Sequence, residues 1–117
     1  RVRIPPATTQ ASVRARGGGA LVVAVGSSTI PALESAADPR GLVRAGSGVA
    51  RLRLDADYGP RVADVLLTGI HEAGTSHREL TRAFASDAGL DSAWQLAAQH
   101  GLRLHEFGDA MLIRRTA

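Results

Sequence analysis

The residues best suited to metal or proton chemistry are four histidines in two neighbourhoods: His71 and His77 with Glu72, and His100 and His105 with Glu106. A helical zinc site of the metalloprotease kind needs two histidines four apart, with Glu after the first, so that both rings leave one face. His71 and His77 are six apart with Gly74 between them. The spacing brings no ligands together locally, and the sequence predicts no metal site. His100 falls at the end of a predicted helix, where a cation suits the terminal carbonyls, and the histidines read as surface residues.

Hydroxyls are concentrated in Gly26-Ser27-Ser28-Thr29, which follows the apolar run Ala20–Val25. Amides and hydroxyls at the start of a helix can hold a phosphate or another anion, so Ser27, Ser28 and Thr29 are the candidate anion-binding residues. The turn lacks the lysine of a P-loop and the spaced glycines of a dinucleotide turn, and ordinary turn chemistry is the competing reading. Gly17-Gly18-Gly19 lies before the strand, on the wrong side for a phosphate loop. A serine–histidine–acid set can be written down from Ser27 or Ser28, but no Gly-x-Ser-x-Gly elbow is present to expose the nucleophile. Asp55 and Asp57 could act as paired carboxylates, or belong to a loop in which Asp57 caps the next helix. With no cysteine, thiolate metal sites, cysteine nucleophiles and disulfides are excluded. No titratable pair falls at a catalytic spacing, so no catalytic residue, no cofactor and no enzyme activity are expected.

These residues must be held by a small framework. The chain has 117 residues and is 44% hydrophobic, enough for one core without staples. Aromatics are few, so Ala, Val, Leu and Ile must fill it. Residues 1–19 read as a flexible basic arm, with Pro5-Pro6 blocking regular pairing and three glycines as a joint, though Val2 and Ile4 could make a short edge strand. Residues 20–117 read as a single α+β domain. Its expected strands are 20–25, 49–54, 102–107 and 110–115, the last two a hairpin turning at Gly108-Asp109. Ala50-Arg51-Leu52-Arg53-Leu54 alternates as a half-buried strand should. Expected helices are about 30–37, 61–73, 76–87 and 91–100. The second rests on Val62, Val65, Leu66 and Ile70 at helical spacing, the third on a capping box from Ser76 to Glu79. The fourth has a stripe of Leu90, Ala93, Trp94, Ala97 and Ala98, with Trp94 largely buried. The fold class is therefore α+β: a small mixed or antiparallel sheet of about four strands, with three to four helices packed on one face.

All 14 basic residues are arginine, and asparagine is absent too. Lysine and asparagine, both absent, have AT-rich codons, which makes a GC-rich bacterial genome the simple explanation, and a bacterial cytoplasm is the favoured compartment. Residues 1–59 hold 8 Arg and 4 acids, a net of +4; residues 60–117 hold 6 Arg and 7 acids, a net of −1. An anionic partner should favour the N-terminal half. No apolar run reaches the roughly 18 residues of a membrane span. The start at Arg1 suggests excision from a longer protein.

The order of helices near 61–73, 76–87 and 91–100 followed by a hairpin resembles a winged-helix DNA-binding domain. That resemblance implies DNA contacts from Arg78, Arg82, Ser92, Gln95, Gln99 and Arg103. The presumed recognition helix has no Arg or Lys, a poor footprint for phosphate-led binding. The strand pairing around amphipathic helices is also similar to small assembly modules of secretion machinery. The favoured expectation is a non-catalytic protein–protein interaction or assembly module, part of a larger protein. It would bind another protein or its own copy as a homodimer, through the edge of strand 20–25 or 49–54. Nucleic-acid binding by the winged helix is the alternative.

Overall fold

A computed structural model describes residues 1–72, 74–103 and 105–115, with the side chains of residues 105–107 left out. The chain is α+β, and the described residues form a two-stranded and a three-stranded sheet and four helices. In order these are β1 (Val2–Ile4), α1 (Pro6–Gly17), β2 (Val23–Val25), α2 (Thr29–Ser35), β3 (Gly46–Gly48), β4 (Val65–Ile70), α3 (Ser76–Thr81), α4 (Asp87–Gln99) and β5 (His105–Arg114).

The larger sheet runs β2-β4-β5, with β2 parallel to β4 and β5 antiparallel to it. Ala24, Leu66 and Ile113 stand side by side in its ladder and point to one face. Ile30 of α2, Leu80 of α3, Phe84 and Leu90 of α4 close over them as the main core. The other face leaves Val23, Val25 and Leu112 exposed. The smaller sheet pairs β1 with β3. It is tied to α2 through a second cluster of Ile4, Val43 and Val62, with Leu33 packed against it.

Four of the expected elements take a different form. The helix expected at 61–73 is the strand β4. Its run Val65-Leu66-Leu67 carries apolar side chains toward both faces of the sheet, with Leu67 half-buried on the open face, and such a run matches helical spacing as readily as a strand. The strand expected at 49–54 is an irregular segment that still buries Leu54 and exposes Arg51 and Arg53; the pairing is made just before it, by β3. In place of the hairpin expected at 102–115 stands β5, paired with β4 and not with a strand at 102–107, with a break in register between Ala110 and His105. The chain folds back earlier, where Asp109 Oδ2 accepts from Arg103 N (2.8 Å) and Asp109 N donates to Arg103 O (3.2 Å). A Cβ on Gly108 would sit 2.1 Å from Arg103 Cβ, so the close return admits only glycine. The stretch read as an irregular arm holds β1 and α1. Pro6 suits the first helical position, and the glycines end α1, with Ala20 N donating to Ala15 O (2.9 Å).

Other expectations keep their place with shifted ends. The helix expected at 76–87 is the shorter α3, capped by Thr75 rather than Ser76: Thr75 Oγ1 accepts from Arg78 N (3.1 Å). The helix expected from 91 starts at Asp87, capped by Ser86, whose Oγ accepts from Gly89 N (3.1 Å). Trp94 is half-buried rather than enclosed, and its indole N–H is shielded from water without a partner. Asp55 Oδ1 accepts from Asp57 N (2.9 Å), so the two acids shape a turn; the helix Asp57 was to cap is β4.

Candidate functional site

In a parallel pair, ligands are taken where the carboxyl ends of the strands open onto loops. Here β2 and β4 end at Val25 and Ile70, and the two loops beyond them meet. Gly26 N extends the ladder by donating to Leu67 O (2.8 Å). Gly26 then turns at φ +87, a left-handed conformation costly for any residue with a Cβ. Ser27 follows, and its Oγ lies 2.7 Å from Nδ1 of His77, fifty residues away on the first turn of α3. His71, the residue after β4, stacks on the His77 ring, with centroids 4.6 Å apart and planes at 19°. Its Nε2 lies 3.5 Å from Thr68 Oγ1, which is buried in β4.

This cluster edges a cleft of about 260 Å³. Pro31, Leu52, Leu54 and Leu80 supply apolar wall; Ser28, Arg53 and Glu79 supply polar groups beside Ser27 and His77. Leu52 and Leu54 arrive on the irregular segment after β3, so the alternation seen in the sequence serves the cleft and the core. Glu79 Oε1 is held by Arg82 Nη1 at 2.7 Å. A hydroxyl hydrogen-bonded to an imidazole can pass a proton or fix the ring's orientation. Among the described residues no third His, Asp or Glu converges to complete a metal site.

A larger recess of about 440 Å³ lies between the β1–β3 sheet and α2, lined by Ile4, Ala36, Asp38, Arg44 and Ser47 among others. Its Asp38 carboxylate is already engaged. It accepts from Leu42 N (3.0 Å) and Arg40 N (2.8 Å), and the Leu42 N–H above all holds its pKa below the ordinary carboxylate value. That recess is shaped by loop closure and brings no nucleophile and imidazole together.

Three residues were candidates for holding an anion. Ser27 is bonded to His77. Thr29 Oγ1 donates to Val25 O (2.7 Å), and Ser28 flanks α2 without a side-chain cap bond. Of the residues named for DNA contact, Arg78 and Gln95 line one recess together with Asp91 and Trp94. Arg78 is buried with Nη2 on Asp91 Oδ1 at 2.7 Å; Arg82 is shared between Glu79 and Asp87 (2.7 and 2.8 Å). Ser92, Gln95 and Gln99 are exposed on α4, and Arg103 is exposed after it, with its backbone N–H on Asp109 Oδ2. His100 Nδ1 faces Leu96 O at 2.9 Å, at the helix end as expected. The side chains of His105 and Glu106 lie outside the described residues.

The sequence reading missed the meeting of Ser27, His77 and His71. The signal was there in the run ending at Ile70: read as a strand, it places His71 at the same edge as the turn after Val25. It also missed Glu34, which is 2% exposed on the inner side of α2. Oε1 of Glu34 accepts from Val62 N (3.0 Å) and Ala63 N (3.2 Å), and Oε2 from Arg61 N (2.9 Å) and the Tyr58 hydroxyl (3.1 Å).

Comparison with known proteins shows which relatives the chain has. A family model described as queuosine biosynthesis protein matches residues 1–113. An S-adenosylmethionine:tRNA ribosyltransferase-isomerase from Sorangium cellulosum is 45% identical over 113 residues, which are 95% of this chain and 30% of that protein. The enzyme of the same description from Dechloromonas aromatica is 35% identical over 99% of this chain and 33% of its own. The crystal structure of an S-adenosylmethionine tRNA ribosyltransferase from Thermotoga maritima superposes with a TM-score of 0.81 at 29% identity, covering 94% of this chain and 38% of that one. The chain thus spans about a third of the length of the curated relatives it matches. These matches overturn the expectation of a non-catalytic interaction or assembly module, and with it the winged-helix alternative. The physical reason for the second is β4: a strand stands where the first helix of a winged helix is required. The bacterial origin and the α+β class agree with the relatives.

Proposed function

This chain belongs to the family of queuosine biosynthesis proteins, and from that premise we propose that it is part of an enzyme that transfers a ribosyl group from S-adenosylmethionine to tRNA. The observation that carries the reading is the match of nearly the whole chain to that family, at up to 45% identity among the relatives described. Two features of the chain support it. The cleft at the carboxyl ends of β2 and β4 has the mixed apolar and polar lining of a small-molecule site, with a fixed hydroxyl–imidazole pair at its edge. The net positive charge is concentrated in residues 1–59, where Arg1, Arg3, Arg14, Arg40 and Arg44 are exposed. Phosphate neutralisation dominates RNA and DNA affinity and weakens with salt, so tRNA would approach that half.

The test places the chain in a full-length enzyme. In the Sorangium cellulosum relative, the matching stretch is replaced by this chain, and the chimera is given S-adenosylmethionine labelled in its ribose together with tRNA isolated from cells that lack the relative's activity, an acceptor that the parent enzyme labels. Label should appear in the tRNA. A chimera that unfolds cooperatively at the midpoint of its parent, yet transfers no label, overturns the proposal.

A further inference from the structure

His77 has one ring face against His71 and is itself exposed where it lines the cleft. Its rotation is fixed by Ser27 at 2.7 Å. Two imidazoles stacked at 4.6 Å, nearly parallel, form a short aromatic pile whose next member would be a flat ring entering the cleft. Aromatic side chains hold nucleobases by such stacking without reading their edges. Apolar walls from Leu52, Leu54 and Leu80 would flank that ring, and Ser28 and Glu79 stand where hydroxyl groups could be met.

We propose that this cleft is the adenosyl subsite: the purine of S-adenosylmethionine stacks on His77, with Ser27 and His71 as positioning residues that hold the ring flat to receive it. The inference rests on the function proposed above and assigns its donor substrate a place. A purine nucleoside is favoured over a base of the tRNA on two grounds. The cleft, at about 260 Å³, is of single-nucleoside size, and it sits at the carboxyl ends of parallel strands, where small ligands of α/β sheets are held. Of the arginines only Arg53 lines the cleft; Arg1, Arg3, Arg14, Arg40 and Arg44, exposed in the basic half, do not.

The same chimera carries the test, read in two ways. Equilibrium dialysis with labelled S-adenosylmethionine reports binding without turnover, and steady-state kinetics separate KM for the donor from KM for tRNA. His77→Ala should weaken donor binding about tenfold, the scale of losing one stacking partner, with KM for tRNA unchanged. His77→Phe, which keeps a ring, should recover most of that loss. Ser27→Ala should weaken binding about threefold by releasing the ring. Thermal unfolding identifies any variant that fails to fold, and His77→Gln then takes the place of His77→Ala. Unchanged donor affinity in a folded His77→Ala chimera overturns the proposal; so does a rise in KM for tRNA alone, which would make His77 a tRNA base platform. If the unmodified chimera transfers no label but still binds donor in a His77-dependent way, the function fails and the subsite stands.

Discussion

The two ends of β4 are both polar and are built in opposite ways. At its amino end Glu34 is enclosed, and its two oxygens collect three backbone N–H groups and a tyrosine hydroxyl. Nearby Asp64 Oδ2 accepts from Val22 N (2.8 Å), and the Arg115 guanidinium donates to Pro60 O. At its carboxyl end Ser27 and His77 meet in the open, and His71 stacks on the pair. A buried carboxylate is tolerated only when its lone pairs are satisfied, and once satisfied it has nothing left to offer a ligand. An exposed hydroxyl–imidazole pair contributes little to folding and keeps its outer edge for chemistry. The amino end therefore anchors the parallel pair, and the carboxyl end is left to function.

The comparison can be broken from its closed side first. Glu34→Ala strips the acceptor from four donors, and unsatisfied buried groups cost about 1–3 kcal/mol each. With some water re-entering, a loss of about 3–5 kcal/mol is expected in urea unfolding; a loss under about 1 kcal/mol would show that the amino end is not the anchor. A control lies outside both ends. Trp94 is half-buried, so Trp94→Ala should cost about 2 kcal/mol, short of the roughly 3–5 kcal/mol of an emptied core site. The same unfolding curves measure it.

Tyr58→Phe removes one of the Glu34 donors and should cost about 1 kcal/mol. It also has a pH signature. Burial, and then the Glu34 charge, push the Tyr58 hydroxyl up from 10.0 to about 12. A group whose pKa is raised on folding stabilises the protein below its unfolded pKa and loses that contribution as pH climbs through the folded value. Stability should therefore fall between about pH 10 and pH 12, and the Tyr58→Phe variant should lack this component of the fall. Equal slopes for the two proteins would contradict the assignment.

The smallest effect on stability belongs to the open end. Ser27→Ala should shift the unfolding free energy by less than about 0.5 kcal/mol, as surface substitutions do. A larger loss would mean that the pair is structural and that the contrast between the ends is false.

What could be read from the chain alone was local. The α+β class, the inner positions Leu80 and Phe84, the burial of Leu54 beside the exposed Arg53, and a turn of hydroxyl residues after a short strand all follow from patterns within about ten residues. Such patterns report on which side of an element is apolar. They do not report whether Val65–Ile70 is a helix or a central strand, because a segment with apolar residues on both faces lacks the alternation that would mark it. Tertiary structure decided that question, and with it the site. Only when Val65–Ile70 is laid parallel to Val23–Val25 does His71 reach the turn of Ser27 and come to stack on His77. Glu34 became a buried anchor for the same reason: its donors on residues 61–63 are far along the chain and are presented only by the bend that leads into the strand.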